Sequence, residues 1–186
     1  MGQYLVLAGL ILGINLLPAF APPTWAILAF YKINTDLDTV VIIMIGVIAA
    51  ASGRYILARA TRLIRHKLKK QYVENLESIR SHLSRSSRGW ILYFLFFVIS
   101  PLPSAQVFEA AGLMDAQLIP IAIAFAFGRG ISYTVSVLSA STLKEHAMSK
   151  LVLDTIKSPW AIALQLVCIL GIYFLLKVDW SKRLPK

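Results

Sequence analysis

Two ionisable residues stand where a bilayer would make them costly: Glu109 in the segment SPLPSAQVFEAAG, and Arg129 in the apolar run AIAFAFGRGIS. Charged side chains at membrane depth face protein, water or one another, and by default they mark a substrate or proton pathway. Pro101 and Pro103 precede the glutamate, and proline both lacks a backbone donor and breaks the helix ladder. Backbone groups freed inside a bilayer must be satisfied by protein or trapped water, so such a break lines a cavity. Segment 97–130 is therefore expected to build a site in which Glu109 and Arg129 are natural partners. Ser104 and Gln106 begin the arm that leads to Glu109.

The same order of features occurs earlier. NLLPAFAPPTWAILAF is followed by an apolar run ending in SGRY, so Pro22 and Pro23 correspond to Pro101 and Pro103, and Gly53-Arg54 to Gly128-Arg129. The last proline and the arginine are 31 positions apart in the first copy and 26 in the second. A repeated unit of a broken, short apolar segment plus a full crossing points to a transporter site between the two copies.

The elements that must position these residues follow from composition and charge. With 58% hydrophobic and 15% charged residues, the chain reads as an all-α polytopic membrane protein forming a single membrane domain over residues 1–186. Cys168 is the only cysteine, which excludes an internal disulfide or a thiolate cluster. No basic region precedes the first apolar run, so no cleavable leader is expected. The net charge of +10 is concentrated: ten Lys or Arg lie between Arg54 and Arg88, against Glu74 and Glu77. Such a basic loop between apolar spans marks the cytoplasmic side and can touch anionic lipid; nucleic acid is not an expected partner.

Residues 4–58 form the first unit. Tyr4–Leu17 is too short for the roughly 30 Å hydrocarbon core, and Thr24–Ile33 is shorter still. The two arms read as a re-entrant hairpin, or alternatively as one kinked helix from Leu5 to Tyr31. Asp36 or Asp38 is placed to cap the crossing that begins at Thr39. Arg54, near the end of that crossing, can snorkel to the interface or turn inward, and snorkelling is the expectation. Over 59–88, Leu63, Ile64, Leu68, Tyr72, Leu76, Ile79 and Leu83 form one face of an amphipathic surface helix. The second unit occupies 89–143, with a short arm over Trp90–Ser100, a return arm over Ser104–Leu113, Asp115 as a cap, and a crossing over Leu118–Leu138. A last crossing is expected within 158–177, with Gln165 as its polar member. Both basic segments lie on the cytoplasmic side if the hairpins do not cross and three helices do, which makes the repeat inverted.

SPLPSAQVFEAAGL followed by a crossing with an internal Gly-Arg resembles the SNARE-associated, or VTT, domain of the DedA superfamily. The resemblance covers about residues 10–140 and is strongest over 100–112. It implies two inverted hairpin-plus-helix units that meet at mid-membrane, and transport or scrambling of phospholipid or polyprenyl-phosphate carriers. Thr24, Trp25 and Ala26 stand where the family usually has an acidic residue, and Ser100 and Gln106 where it has arginines. The functional expectation is a transporter or scramblase of a lipid with an anionic head group in the plasma (inner) membrane, with a homo-oligomer compatible with it. A small-solute or ion transporter using Glu109, or a non-transporting scaffold, are the alternatives. The expected site comprises Glu109, Arg129, Gln106, Arg54, Pro22, Pro23, Pro101, Pro103 and Ser104. No HExxH, paired cysteines or glycine-rich phosphate loop is present, so neither an enzyme nor a cofactor is expected.

Overall fold

The computed structural model describes residues 1–68, 70–74, 76, 104–142 and 158–177, and every regular element among them is helical. The helices described in full are α1 (Gly2–Leu16), α2 (Thr24–Asn34), α3 (Thr39–Arg65), α4 (Ser104–Leu113), α5 (Leu118–Thr142) and α6 (Pro159–Lys177). Pro101, Pro103, the arm 90–100 and most of the surface helix expected over 59–88 lie outside the described residues.

The first apolar segment is broken and folds back. Leu17 turns extended at the end of α1, and Pro23, also extended, precedes α2. The backbone N–H of Asp38 then donates to Tyr4 Oη at 3.2 Å, which brings the far end of α2 back to the start of α1. A single kinked helix would hold these residues tens of ångströms apart, so the hairpin geometry replaces that alternative. Asp38 caps α3, its carboxylate accepting from Val41 N at 3.0 Å. The helix it starts runs on to Arg65, so the first residues of the 59–88 stretch extend α3.

α3 is the central rod. α1 lies parallel to it, with Tyr4 level with Asp38 and Leu12–Asn15 level with Gly53. A Cβ at Gly53 would stand 2.8 Å from Asn15 Cβ and 2.9 Å from Leu12 O, so only glycine allows this approach. α4 packs along the other half of α3, where a Cβ at Gly112 would collide with Ala58 O and Thr61 Oγ1. α5 returns antiparallel to α3, its Gly130 opposite Val47. Each short return arm packs on the long helix of the other unit, α2 on α5 and α4 on α3. One continuous core joins these five helices, from Leu7 and Ile11 through Leu28, Ala50 and Phe108 to Phe125 and Val137. Phe108 and Phe125 meet edge to face at 5.3 Å.

α3 and α5 are long and apolar enough to cross a membrane. Their outward faces agree with that reading: Ile119, Ile123, Phe127, Ile131, Val135 and Leu138 form an exposed stripe along α5, and Val40, Met44, Ile48 and Ile56 one along α3. The α5 stripe is about 28 Å long at the helical rise, close to the hydrocarbon thickness. In α6 the apolar segment is shorter, Ile162–Phe174, so two helices rather than three meet the length requirement among the described residues.

Candidate functional site

The site is built around the break at residues 17–23. Prolines at 18, 22 and 23 cannot continue the ladder, so carbonyls at the end of α1 and the donors around the turn need partners from elsewhere. Three other helices, α3, α4 and α6, provide them. Arg54 of α3 is buried, 7% exposed, and its Nη1 donates to Asn15 O and to Leu17 O, both at 3.0 Å. Gln106 of α4, 4% exposed, donates from Nε2 to Pro18 O at 3.2 Å. The N–H of Phe20, a residue held in the left-handed region at φ 57, donates to Gln165 Oε1 of α6 at 2.6 Å. Asn15 of α1 donates to Ile11 O at 2.9 Å and to Thr24 Oγ1 at 3.0 Å, tying the last turn of α1 to the first of α2. The fully buried Tyr133 of α5 interacts with the same Thr24 side chain.

Arg54 thus turns inward instead of snorkelling. Its glycine neighbour brings α1 so close that the carbonyls of its last turn lie within reach, and the cation complements the negative end of the α1 dipole. The Gly-Arg pair was visible in the sequence. Its function as a cap was not, because nothing local states which helix will pass beside the glycine.

Glu109 and Arg129 do not form the expected ion pair. Arg129 lies over the Phe125 ring at 5.3 Å, a cation–π distance, half-buried between exposed Phe127 and Ile131. The cation acting on Glu109 is Arg54, which also feels Arg129 and Tyr133, so the four groups share one electrostatic neighbourhood. The pairing fails because α4 packs along α3, which places its carboxylate within the field of the α3 arginine. Ser104, at the head of α4, is buried, and Pro22 and Pro23 border the break.

Four buried polar atoms of this neighbourhood make no hydrogen bond among the described residues: Arg54 Nε, Arg129 Nε, Gln106 Oε1 and Glu109 Oε1. Native interiors leave few such atoms, and each calls for a water, an ion or a ligand. Two are donors and two are acceptors. No group of three or more metal-binding side chains occurs among the described residues.

A second polar cluster sits at the end of α3. Asp115, expected as a cap for α5, has φ 55 and takes Arg62 Nε at 2.8 Å and Arg65 Nη1 at 3.4 Å, while Arg62 also donates to Ala116 O. These contacts clamp the α4–α5 turn to the basic end of α3. The sequence held the signal in its charges, but the partners are about fifty residues apart. Comparison with known protein families, curated proteins and solved structures finds no match to this chain.

Proposed function

We propose that this chain is an integral membrane transporter or scramblase of a lipid with an anionic, phosphate-bearing head group, similar to DedA/VTT proteins. The observation that carries the reading is the buried polar neighbourhood at the α1–α2 break, lying between two helices long enough to span a bilayer and holding two guanidinium groups against one carboxylate. Excess positive charge in a low-dielectric interior favours an anion. The N-terminus of α2, with no side-chain cap, adds backbone donors beside it. The lipid tails would remain in the bilayer while the head group passes the break, and a phospholipid and a polyprenyl phosphate present the same group to the site.

In this reading α1–α2 is a re-entrant hairpin and α6 is a third crossing. The packing of each return arm on the other unit's long helix supports an inverted repeat, because a two-fold axis in the membrane plane exchanges α2 with α4 and α3 with α5. The basic loop 59–88 and the C-terminal segment face the cytoplasm, and the membrane is the plasma (inner) membrane. A homo-oligomer is compatible with the exposed apolar faces. A small-solute or cation transporter is the second reading, favoured by the open acceptors on Gln106 and Glu109. The test is reconstitution into vesicles with a fluorescent phospholipid on both leaflets. Protein-dependent loss of inner-leaflet protection from a membrane-impermeant quencher is expected, and Arg129→Gln should abolish it while the protein still inserts. Absence of lipid movement together with ion flux would favour the second reading.

A further inference from the structure

The open atoms on α4 constrain the head group more closely than charge alone, and the constraint rests on the lipid-transport reading above. Gln106 is spent on one side: its only hydrogen bond among the described residues goes to Pro18 O, which can only accept, so the amide nitrogen must face Pro18 and the carbonyl Oε1 is the free end. The side chain is more than nine-tenths buried, so bulk water does not satisfy that oxygen. Glu109 follows three positions later on the same helix face, with Oε1 likewise buried and without a hydrogen bond among the described residues. With Glu109 ionised, the two neighbouring open acceptors cannot serve each other, and they are poor company for a phosphate. They need donors. The open donors, Arg54 Nε and Arg129 Nε, belong instead to α3 and α5. The site is therefore two-sided, with donors on the long helices and acceptors on the return arm.

We infer that Gln106 and Glu109 form a donor-reading subsite, which selects head groups carrying N–H or O–H donors beyond the phosphate, such as a primary ammonium. A trimethylammonium head group has the same charge but no donor, and would give neither acceptor a hydrogen bond. Sites built to hydrogen-bond a ligand reject analogues lacking the bond far more strongly than a shape difference would. Gln106 and Glu109 thereby determine specificity, whereas the guanidinium groups supply attraction for the phosphate that both head groups share.

The experiment uses the full chain in phosphatidylcholine vesicles containing a trace of acyl-chain-labelled phospholipid with either an ethanolamine or a choline head group. The rate of label transfer between leaflets is read by dithionite quenching. The ethanolamine lipid should move at least about tenfold faster than the choline lipid. Glu109→Leu, which removes the acceptor while leaving the Gln106–Pro18 bond, should collapse that ratio to within about twofold, chiefly by slowing the ethanolamine lipid. Equal rates for both lipids in the unaltered protein would overturn the subsite and leave the transport reading intact. A ratio that survives Glu109→Leu would also overturn it, provided the variant retains the unaltered protein's thermal melting temperature. If that variant melts early, Glu109→Gln takes its place, with a reduced ratio expected and an unchanged one overturning the assignment. Movement of neither lipid would overturn the subsite, and if an acyl-chain-labelled phosphatidylglycerol in the same assay also fails to move, the transport reading falls with it.

Discussion

The break at residues 17–23, with the last turn of α1, and the patch formed by Gln106 Oε1, Glu109 and Arg129 lie side by side, yet they are finished differently. At the break, Asn15 O, Leu17 O, Pro18 O and Phe20 N all have partners, contributed by α3, α4 and α6. In the patch, buried donors and acceptors make no hydrogen bond among the described residues. A helix interrupted in an apolar interior survives only when its loose ends are tied, because each buried group left unsatisfied costs about 1–3 kcal/mol. Open side-chain atoms placed next to such a finished region are therefore better explained by a ligand or ordered water than by poor packing. The break is structural, and the patch beside it is left for something else to complete.

The comparison makes Arg54 the most sensitive position for stability. Arg54→Leu removes both bonds to the α1 end and leaves Asn15 O and Leu17 O unpaired, so a loss of about 3–5 kcal/mol is expected in thermal or denaturant unfolding of the purified protein. Arg54→Lys, which keeps a donor and the charge, should recover part of that loss. Equal stability for Arg54→Leu would show that the break is not held by this side chain.

Gly112→Val tests the packing that brings α4 to the site. The added carbons meet Ala58 backbone and the Thr61 hydroxyl, and α4 must move off α3, with an expected cost of about 1–3 kcal/mol. Because α4 carries Gln106, lipid movement should fall in parallel with stability.

A smaller effect is expected at the end of α3. Asp115→Ala breaks the contacts to Arg62 and Arg65, but all three side chains are partly exposed, so the change in stability should be at most about 1 kcal/mol and should shrink further at high salt. Equal melting curves at low and high salt would show that the cluster holds the turn by shape alone.

Arg129→Gln should affect stability least, within about 0.5 kcal/mol, since among the described residues the side chain makes only a ring contact. Transport should nevertheless be lost in the vesicle assay. A large destabilisation would place Arg129 with the tied region and erase the contrast between the two.

Hydropathy was enough to read the described helices, because long apolar runs of this kind favour helix. The proline positions marked the break, and Asp36 and Asp38 marked the start of α3 without stating which of them caps it, since caps and breaks are decided by neighbours within a few residues. The Gly-Arg repeat singled out Arg54 and Arg129 by type and position. What the sequence could not state was which side chain meets which. Arg54 caps α1 because Gly53 lets that helix approach, and Glu109 lies in the field of Arg54 because Gly112 seats α4 on α3. Gln106 and Gln165 reach the break from positions 88 and 145 residues distant from their partners. Those pairings depend on helix packing, and packing is set by the fit of whole faces. Local pattern therefore determined the elements and the break, and the tertiary structure alone decided which polar groups are consumed in holding them and which remain open.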